Sequence, residues 1–323
     1  MYSDLPADQL KAYTSSQTRP EDFDAFWSET LEQAQSHPLN LKVTPEPTVL
    51  ETIDVYNVEF AGWNGETVRA WLRMPHGATG PLACVVEFVG YGGGRGEAHE
   101  NLLWAGAGFA HLHMDTRGQG ASWSRGATPD GAGSAGPQVP GVMTRGILDP
   151  QTYYYRRLFT DAVRAVQAAR ELAAVDPDRV AVTGISQGGG VALAAAALCP
   201  DVRAAVVRVP FLSDFPRALQ ITDAYPYREI SDFLSVHRTE ADRAQETLRY
   251  FDGVNFAPQA TIPALFTAGL MDVTTPPSTV YAAYNAYAGS KQITAWPFNG
   301  HEGGGSEDDV AAVHFLRDMT AAG

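Results

Sequence analysis

The sequence predicts an α/β protein in which a mostly parallel central sheet is flanked by helices. Three observations carry that expectation. From residue 82 onward, six short runs are rich in apolar or β-branched residues: LACVVEFVG, FAHLHMD, RVAVTGI, VRAAVVRVP, IPALFTAG and KQITAWPF. Most lack the alternation of a half-exposed strand and read as strands buried on both faces. Helical stretches lie between several of them, such as YYYRRLFTDAVRAVQAARELA before RVAVTGI. Strand–helix alternation implies parallel pairing with right-handed crossovers. The third observation is a strand–turn–helix, VAVTGISQGGGVALAAAAL, whose turn is crowded with glycine.

The elements follow in chain order. Residues 1–50 read as an N-terminal helical arm, with Pro20 at the first helical position and Phe23, Phe26, Trp27 and Leu31 at helical spacing. DVYNVEFAG and TVRAWLRMP, joined around Asn64-Gly65, read as a hairpin. The six core runs follow, with two interruptions. Residues 121–150 (GATPDGAGSAGPQVPGV at their centre) are rich in Gly, Pro and Ser and are expected to be a long functional or interface loop. Residues 210–260 (FPRALQITD, EISDFLSVHR, RAQETLRYF) are expected to form a helical cap inserted over the sheet edge. DDVAAVHFLRDM reads as a terminal helix in which His314 is a packing residue.

Composition bounds the function. Of 323 residues, 45% are hydrophobic and 19% charged, which excludes disorder as the main state. Length alone suggests about two domains, but one large α/β domain over residues 1–323 is the reading adopted. Twenty-three Lys and Arg against 37 Asp and Glu leave a net charge of −14. Such a chain lacks the basic footprint of a nucleic-acid binder and suits a neutral substrate better than a polyanion. Cys84 and Cys199 sit in apolar runs and read as free thiols, which suits a reducing compartment. No signal peptide and no run near the length of a membrane span are visible, so a cytoplasmic protein is expected.

The chemistry concentrates at Gly184-Ile185-Ser186-Gln187-Gly188, a G-x-S-x-G between a buried strand and an Ala-rich helix. That context is a nucleophile elbow: the glycines permit a sharp turn that presents the serine hydroxyl above the sheet. The expected fold is therefore the α/β-hydrolase fold, whose chain order is Ser, then acid, then His. A serine needs a base, and the base needs orienting. His237, His301 and His314 follow Ser186. His301, in a loop beyond the run QITAWPF, takes the role, because His237 lies in the expected cap and His314 in the terminal helix. Asp272, just past IPALFTAG, is the expected acid, with Asp214 as its rival. The oxyanion hole is expected from the backbone N–H groups of Gln187 and of Tyr91, in the loop GYGGGRG. That loop matches neither nucleotide-binding glycine pattern, so no cofactor is expected. Metal binding at His111-x-His113 near Asp115 is set aside in favour of side chains packing under a loop. Pro210 and Phe211 are expected to wall a shallow acyl pocket.

Together with Arg117-Gly118-Gln119-Gly120, His301-Glu302, FDGVNFA, GLMDVTTPPSTVYAAYN and GVMTRGILDPQTYYYRRLFTDAVRAV, these motifs resemble carbohydrate esterase family seven. Its members are acetyl xylan esterases and cephalosporin C deacetylases, and the resemblance runs along nearly the whole chain. It implies a Ser186–Asp272–His301 triad, an oxyanion hole at Tyr91 and Gln187, and Arg117 and Gln119 holding loops near the site. It further implies deacetylation of small acetylated sugars, acetylated xylo-oligosaccharides and cephalosporin C, an intracellular location and a ring-like hexamer; with no apolar run of membrane-spanning length, no membrane partner is expected. One departure is Val89, where many members carry His before the Gly-Tyr pair. Other readings on the same fold are a dienelactone-type hydrolase, a peptidase-like hydrolase and a non-catalytic scaffold.

Overall fold

A computed structural model describes residues 4–131 and 136–321. Nine strands form one sheet: β1 (Lys42–Pro45), β2 (Ile53–Ala61), β3 (Thr67–Pro75), β4 (Leu82–Phe88), β5 (Ala110–Met114), β6 (Val175–Ile185), β7 (Ala205–Arg208), β8 (Ala264–Gly269) and β9 (Lys291–Trp296). Their spatial order is β1-β2-β3-β5-β4-β6-β7-β8-β9. The first three strands pair antiparallel, β3 meets β5 antiparallel, and every later pairing is parallel. The hairpin turns at Asn64 and Gly65, both at positive φ.

Side chains of the parallel strands alternate between two cores. Cys84, Val86, Phe88, Val182, Val207 and Phe266 join one core with the helices α1 (Tyr154–Glu171) and α2 (Gln187–Leu198). Ala83, Val85, Ala181, Val206 and Leu265 join the other, against Trp104, Phe109 and Leu316. Both faces are thus covered, which explains the uninterrupted apolar runs. The strand β9 is the exception, because it lies at the sheet edge with alternate residues exposed. The thiols of Cys84 and Cys199 are both free and buried, and burial pushes each up to about 12.

Three expectations need correction. The arm's helix runs Phe23–Gln35 with Asp22 at its N-cap, so Pro20 stands a turn before it instead of opening it. The reason is that the Pro20 carbonyl accepts from the Phe23 amide in a preceding turn. His314 is exposed on the helix Ser306–Met319, whose packing is done by Ala312, Val313 and Leu316. The 121–150 segment has no helix or strand among its described residues, but it is only partly a free surface. Val142, Met143 and Ile147 are in the core, while Trp123 and Val139 stay exposed. Residues 132–135 of that segment lie outside the described residues.

Between β7 and β8, the segment expected to cap the sheet holds four α-helices: α3 (Phe215–Ile221), α4 (Tyr227–Val236), α5 (Ala241–Arg249) and α6 (Gly253–Phe256). The α4 face turned inward carries Tyr227 and Ile230. Glu229, on the first turn of α4, reaches the loop after β4.

Candidate active site

Ser186 stands between β6 and α2 with φ 58° and ψ −120°, a conformation L-residues rarely adopt. The two flanking glycines make this possible by allowing close backbone approach. A Cβ on Gly184 would lie 2.2 Å from the Gly188 carbonyl, and one on Gly188 would lie 2.0 Å from the Phe88 carbonyl oxygen. The serine is held by its own backbone, accepting from the amides of Gly190 at 3.0 Å and Phe211 at 2.9 Å. Its hydroxyl sits at the N-terminus of a twelve-residue helix, where the dipole favours developing negative charge.

Asp272 follows β8 and is fully buried. Its Oδ1 accepts from the amides of Thr274 at 2.7 Å and Thr275 at 3.0 Å. Its Oδ2 accepts from the Thr275 hydroxyl at 2.7 Å and from His301 Nδ1 at 2.8 Å. A carboxylate can only accept, so Nδ1 carries the proton and Nε2 keeps its lone pair. Ser186 and His301 line one cavity of about 610 Å³. Asp214 is elsewhere. It accepts from the Tyr13 hydroxyl at 2.9 Å and the Ser15 hydroxyl at 2.7 Å, tying the N-terminal arm to the body. His237 ends α4, stacked on Phe233 at 4.4 Å.

The Tyr91 and Gln187 amides donate to no acceptor among the described residues, as an oxyanion hole requires of its donors. Gln119 connects the loop that carries Tyr91 to Gln187. Its Oε1 accepts from the Gly92 amide at 2.7 Å, and its Nε2 donates to Gln187 Oε1 at 2.9 Å and to the Tyr154 hydroxyl at 2.9 Å. Tyr155 also donates to Gln187 Oε1, and Gln187 Nε2 donates to the Val89 carbonyl at 3.1 Å. Val89 therefore contributes its backbone, with its side chain buried. The Arg117 guanidinium, fully buried, forks onto Asp161 and reaches Glu66 at 2.7 Å. The Tyr91 hydroxyl donates to Glu229 at 2.7 Å and accepts from the amides of Gly141 and Val142.

Pro210 and Phe211 do not line the cavity, which corrects the expected acyl wall. Phe211 is fully buried behind Tyr91, ring centroids 6.3 Å apart, because the chain after β7 turns inward beneath the elbow. The walls are instead Val89, Trp123, Pro140, Ile185, Tyr225 and Thr274. Trp123 lies against the glycine loop, where a Cβ on Gly93 would meet its ring at 2.3 Å, and its indole N–H donates to the Tyr91 carbonyl. His111 is buried and paired with Glu87, as a packing residue is, but His113 reaches the cavity. Among the described residues no group of three or more His, Cys, Asp or Glu could hold a metal ion. Sequence reasoning missed Glu229, Tyr155, Thr275 and Trp123. Only Thr275, in the loop that presents Asp272, carried a local signal.

The sequence profile described as "Acetyl xylan esterase (AXE1)" matches residues 1–319. The chain belongs to the acetyl xylan esterase family. Family membership places it among carboxylic ester hydrolases, with the α/β-hydrolase fold described above. The acetyl xylan esterase of Paenibacillus sp. R4 is 37% identical at a TM-score of 0.90, over 98% of this chain and 100% of that one. Acetyl xylan esterase 1 from Thermoanaerobacterium sp. JW/SL YS485 is 32% identical at a TM-score of 0.89, again over 98% and 100%. Acetyl esterase Axe7A of Xylanibacter ruminicola is 29% identical over 295 residues, 90% of this chain. The chain spans 65% of the length of that relative. No helix among the described residues is long and apolar enough to cross a membrane.

Proposed function

We propose that this acetyl xylan esterase family member is a serine esterase that removes acetyl groups from small acetylated carbohydrates through an acetyl-enzyme. The observation that carries the reading is the convergence of Ser186, an Asp272-oriented His301 and Tyr91 on one cavity, with the amides of Tyr91 and Gln187 left unpaired among the described residues. His301 Nε2 takes the Ser186 proton as the oxygen attacks the acetyl carbonyl. The oxyanion receives the Tyr91 and Gln187 amides. The imidazolium, stabilised by Asp272, gives its proton to the departing sugar oxygen, and water repeats the sequence to release acetate. Every step uses side chains and amides of the chain itself.

Acetylated xylo-oligosaccharides are the proposed substrates, and cephalosporin C is a second, because its acetoxymethyl ester presents the same acyl group. The apolar walls suit the uncharged face of a sugar ring, with the exposed Trp123 ring as a stacking surface. A closed homo-oligomer, hexameric by the resemblance, is proposed with the exposed Trp123 and Val139 near its contacts. The two unpaired thiols support the cytoplasm as the compartment. The test is a panel of acetylated xylo-oligosaccharides, cephalosporin C and p-nitrophenyl acetate, butyrate and octanoate, with Ser186→Ala alongside. Acetyl esters are expected to lead, and the variant to lose nearly all turnover while folded. Rates that rise with acyl length, or an active Ser186→Ala, refute the proposal.

A further inference from the structure

The cavity has a polar end that the ester chemistry does not use. Glu87 and His113 are register partners on the adjacent parallel strands β4 and β5, near their carboxyl ends, and both line the cavity that holds Ser186. One carboxylate oxygen of Glu87, Oε2, is paired with His111 Nε2 at 2.7 Å. The other, Oε1, has no protein donor among the described residues and is not sealed from the cavity. His113 Nδ1 faces Arg73 Nη1 at 3.5 Å and Asn101 Nδ2 at 3.4 Å. A guanidinium only donates, so Nδ1 is an acceptor and the proton of the neutral ring sits on Nε2. Burial keeps that ring neutral, pushing it down to about 3. Nε2–H likewise has no protein acceptor among the described residues and is not sealed away. One wall of the catalytic cavity therefore presents a fixed acceptor beside a fixed donor.

We propose that Glu87 and His113 form a hydroxyl-binding subsite for the sugar that leaves Ser186, receiving a free pyranose hydroxyl of the xylosyl unit. This rests on the acetylated-sugar reading above. A hydroxyl donates one hydrogen bond and accepts others, so a single sugar OH, or two neighbouring ones, satisfies both groups at once. The acetyl methyl has nothing to offer them, and a phenolic ester lacking hydroxyls leaves them to water. The pair therefore selects the alcohol and not the acyl group. A site built to hydrogen-bond a hydroxyl discriminates strongly against substrates that lack it.

The experiment uses Glu87→Gln, which turns the acceptor into a donor at nearly constant shape, and His113→Phe, which deletes the N–H. For each, kcat and KM are measured on mono-O-acetylated xylobiose and on p-nitrophenyl acetate, with thermal unfolding as the check on folding. The sugar-to-phenol ratio of kcat/KM is expected to fall about tenfold or more, mainly through KM, since hydrogen bonds to a charged group contribute about that much. A ratio within twofold of wild type overturns the subsite, because a structural role lowers both esters together. Free xylobiose as a competitive inhibitor of p-nitrophenyl acetate hydrolysis separates the two readings. A wild type that cleaves the phenyl ester but not the acetylated sugar refutes the substrate reading. Inhibition by xylobiose that Glu87→Gln relieves still supports the subsite, and no inhibition overturns it. If His113→Phe fails to fold, Glu87→Gln alone decides.

Discussion

Replacing Asp272 by Asn isolates what the carboxylate does for His301. Two backbone amides, of Thr274 and Thr275, face Oδ1. An amide NH2 on that side would meet two donors, so the asparagine carbonyl must take it. The NH2 then occupies the Oδ2 position and points at His301 Nδ1, 2.8 Å away in the native pairing. The imidazole keeps that contact only by moving its proton to Nε2, the nitrogen that has to accept from Ser186. In the serine-protease precedent the wrong tautomer lowers kcat by about 10⁴, roughly 5 kcal/mol of barrier at 1.36 kcal/mol per decade. The fold loses little, because the Thr275 hydroxyl can turn to accept from the NH2, so the stability cost is about 1 kcal/mol. Turnover of p-nitrophenyl acetate and thermal unfolding are measured on the same preparation. Asp214→Asn is the control: it loosens the Tyr13 and Ser15 anchors and is expected to lower stability while kcat stays within a few-fold. An Asp272→Asn enzyme that keeps more than a tenth of wild-type kcat, or an Asp214→Asn enzyme damaged as badly, refutes the reasoning.

Gln119→Leu removes the bridge between Gln187 and the loop of Tyr91, the two proposed oxyanion donors. The Gly92 amide loses its acceptor, costing roughly 1–3 kcal/mol, whereas Gln187 keeps its Tyr155 partner. A fall in kcat of about ten- to a hundredfold with little change in KM is expected, and an unchanged kcat on a folded variant contradicts the role. Asp130 is held by Arg145 at 2.6 Å and Arg157 at 2.7 Å. Burial opposes ionisation there, but the guanidiniums of Arg157, Arg145 and Arg117 prevail and hold the carboxyl down at about 2. Its folded value lies below its unfolded one, so its stabilisation is complete above about pH 4 and is lost as pH falls through 2. The amount is about 2 kcal/mol from the size of the shift. Unfolding free energy measured between pH 4 and 2 should therefore slope less in Asp130→Asn than in wild type, and identical slopes refute the assignment.

The parts of the site that were legible in the sequence are those whose constraint is local. Gly184 and Gly188 flank Ser186 by two residues, and both are needed because the turn brings each against backbone at about 2 Å. That crowding is written in five consecutive residues. The buried parallel strands were legible for a similar reason: covering both faces leaves no exposed position in the run, as in the fully buried β5, β7 and β8, so apolar residues dominate each of them. Asp272 and His301 were reachable through chain order along successive strand ends, and the structure joins them at 2.8 Å. The edge strand β9 shows the limit of that signal, since one open face restores polar alternation.

What the tertiary structure decided is where side chains far apart in sequence meet. Glu229 reaches Tyr91 across 138 positions, and nothing in the helix that carries it marks it out. Asp214 and Asp272 both follow strand ends and look equivalent on the chain, yet one faces His301 and the other the N-terminal arm. Phe211 was expected at the acyl group because it follows a strand end. Inward turning of the backbone after β7 hides it behind Tyr91. His113 read as a packing residue, and only the register that sets it beside Glu87 opens it to the cavity. Sequence alone determined the fold class and pointed to Ser186, Asp272 and His301 as candidate groups, because backbone sterics and hydrophobic periodicity act between near neighbours. The walls, anchors and polar end of the cavity depend on which loops the sheet brings together, and that is decided by packing over the whole chain.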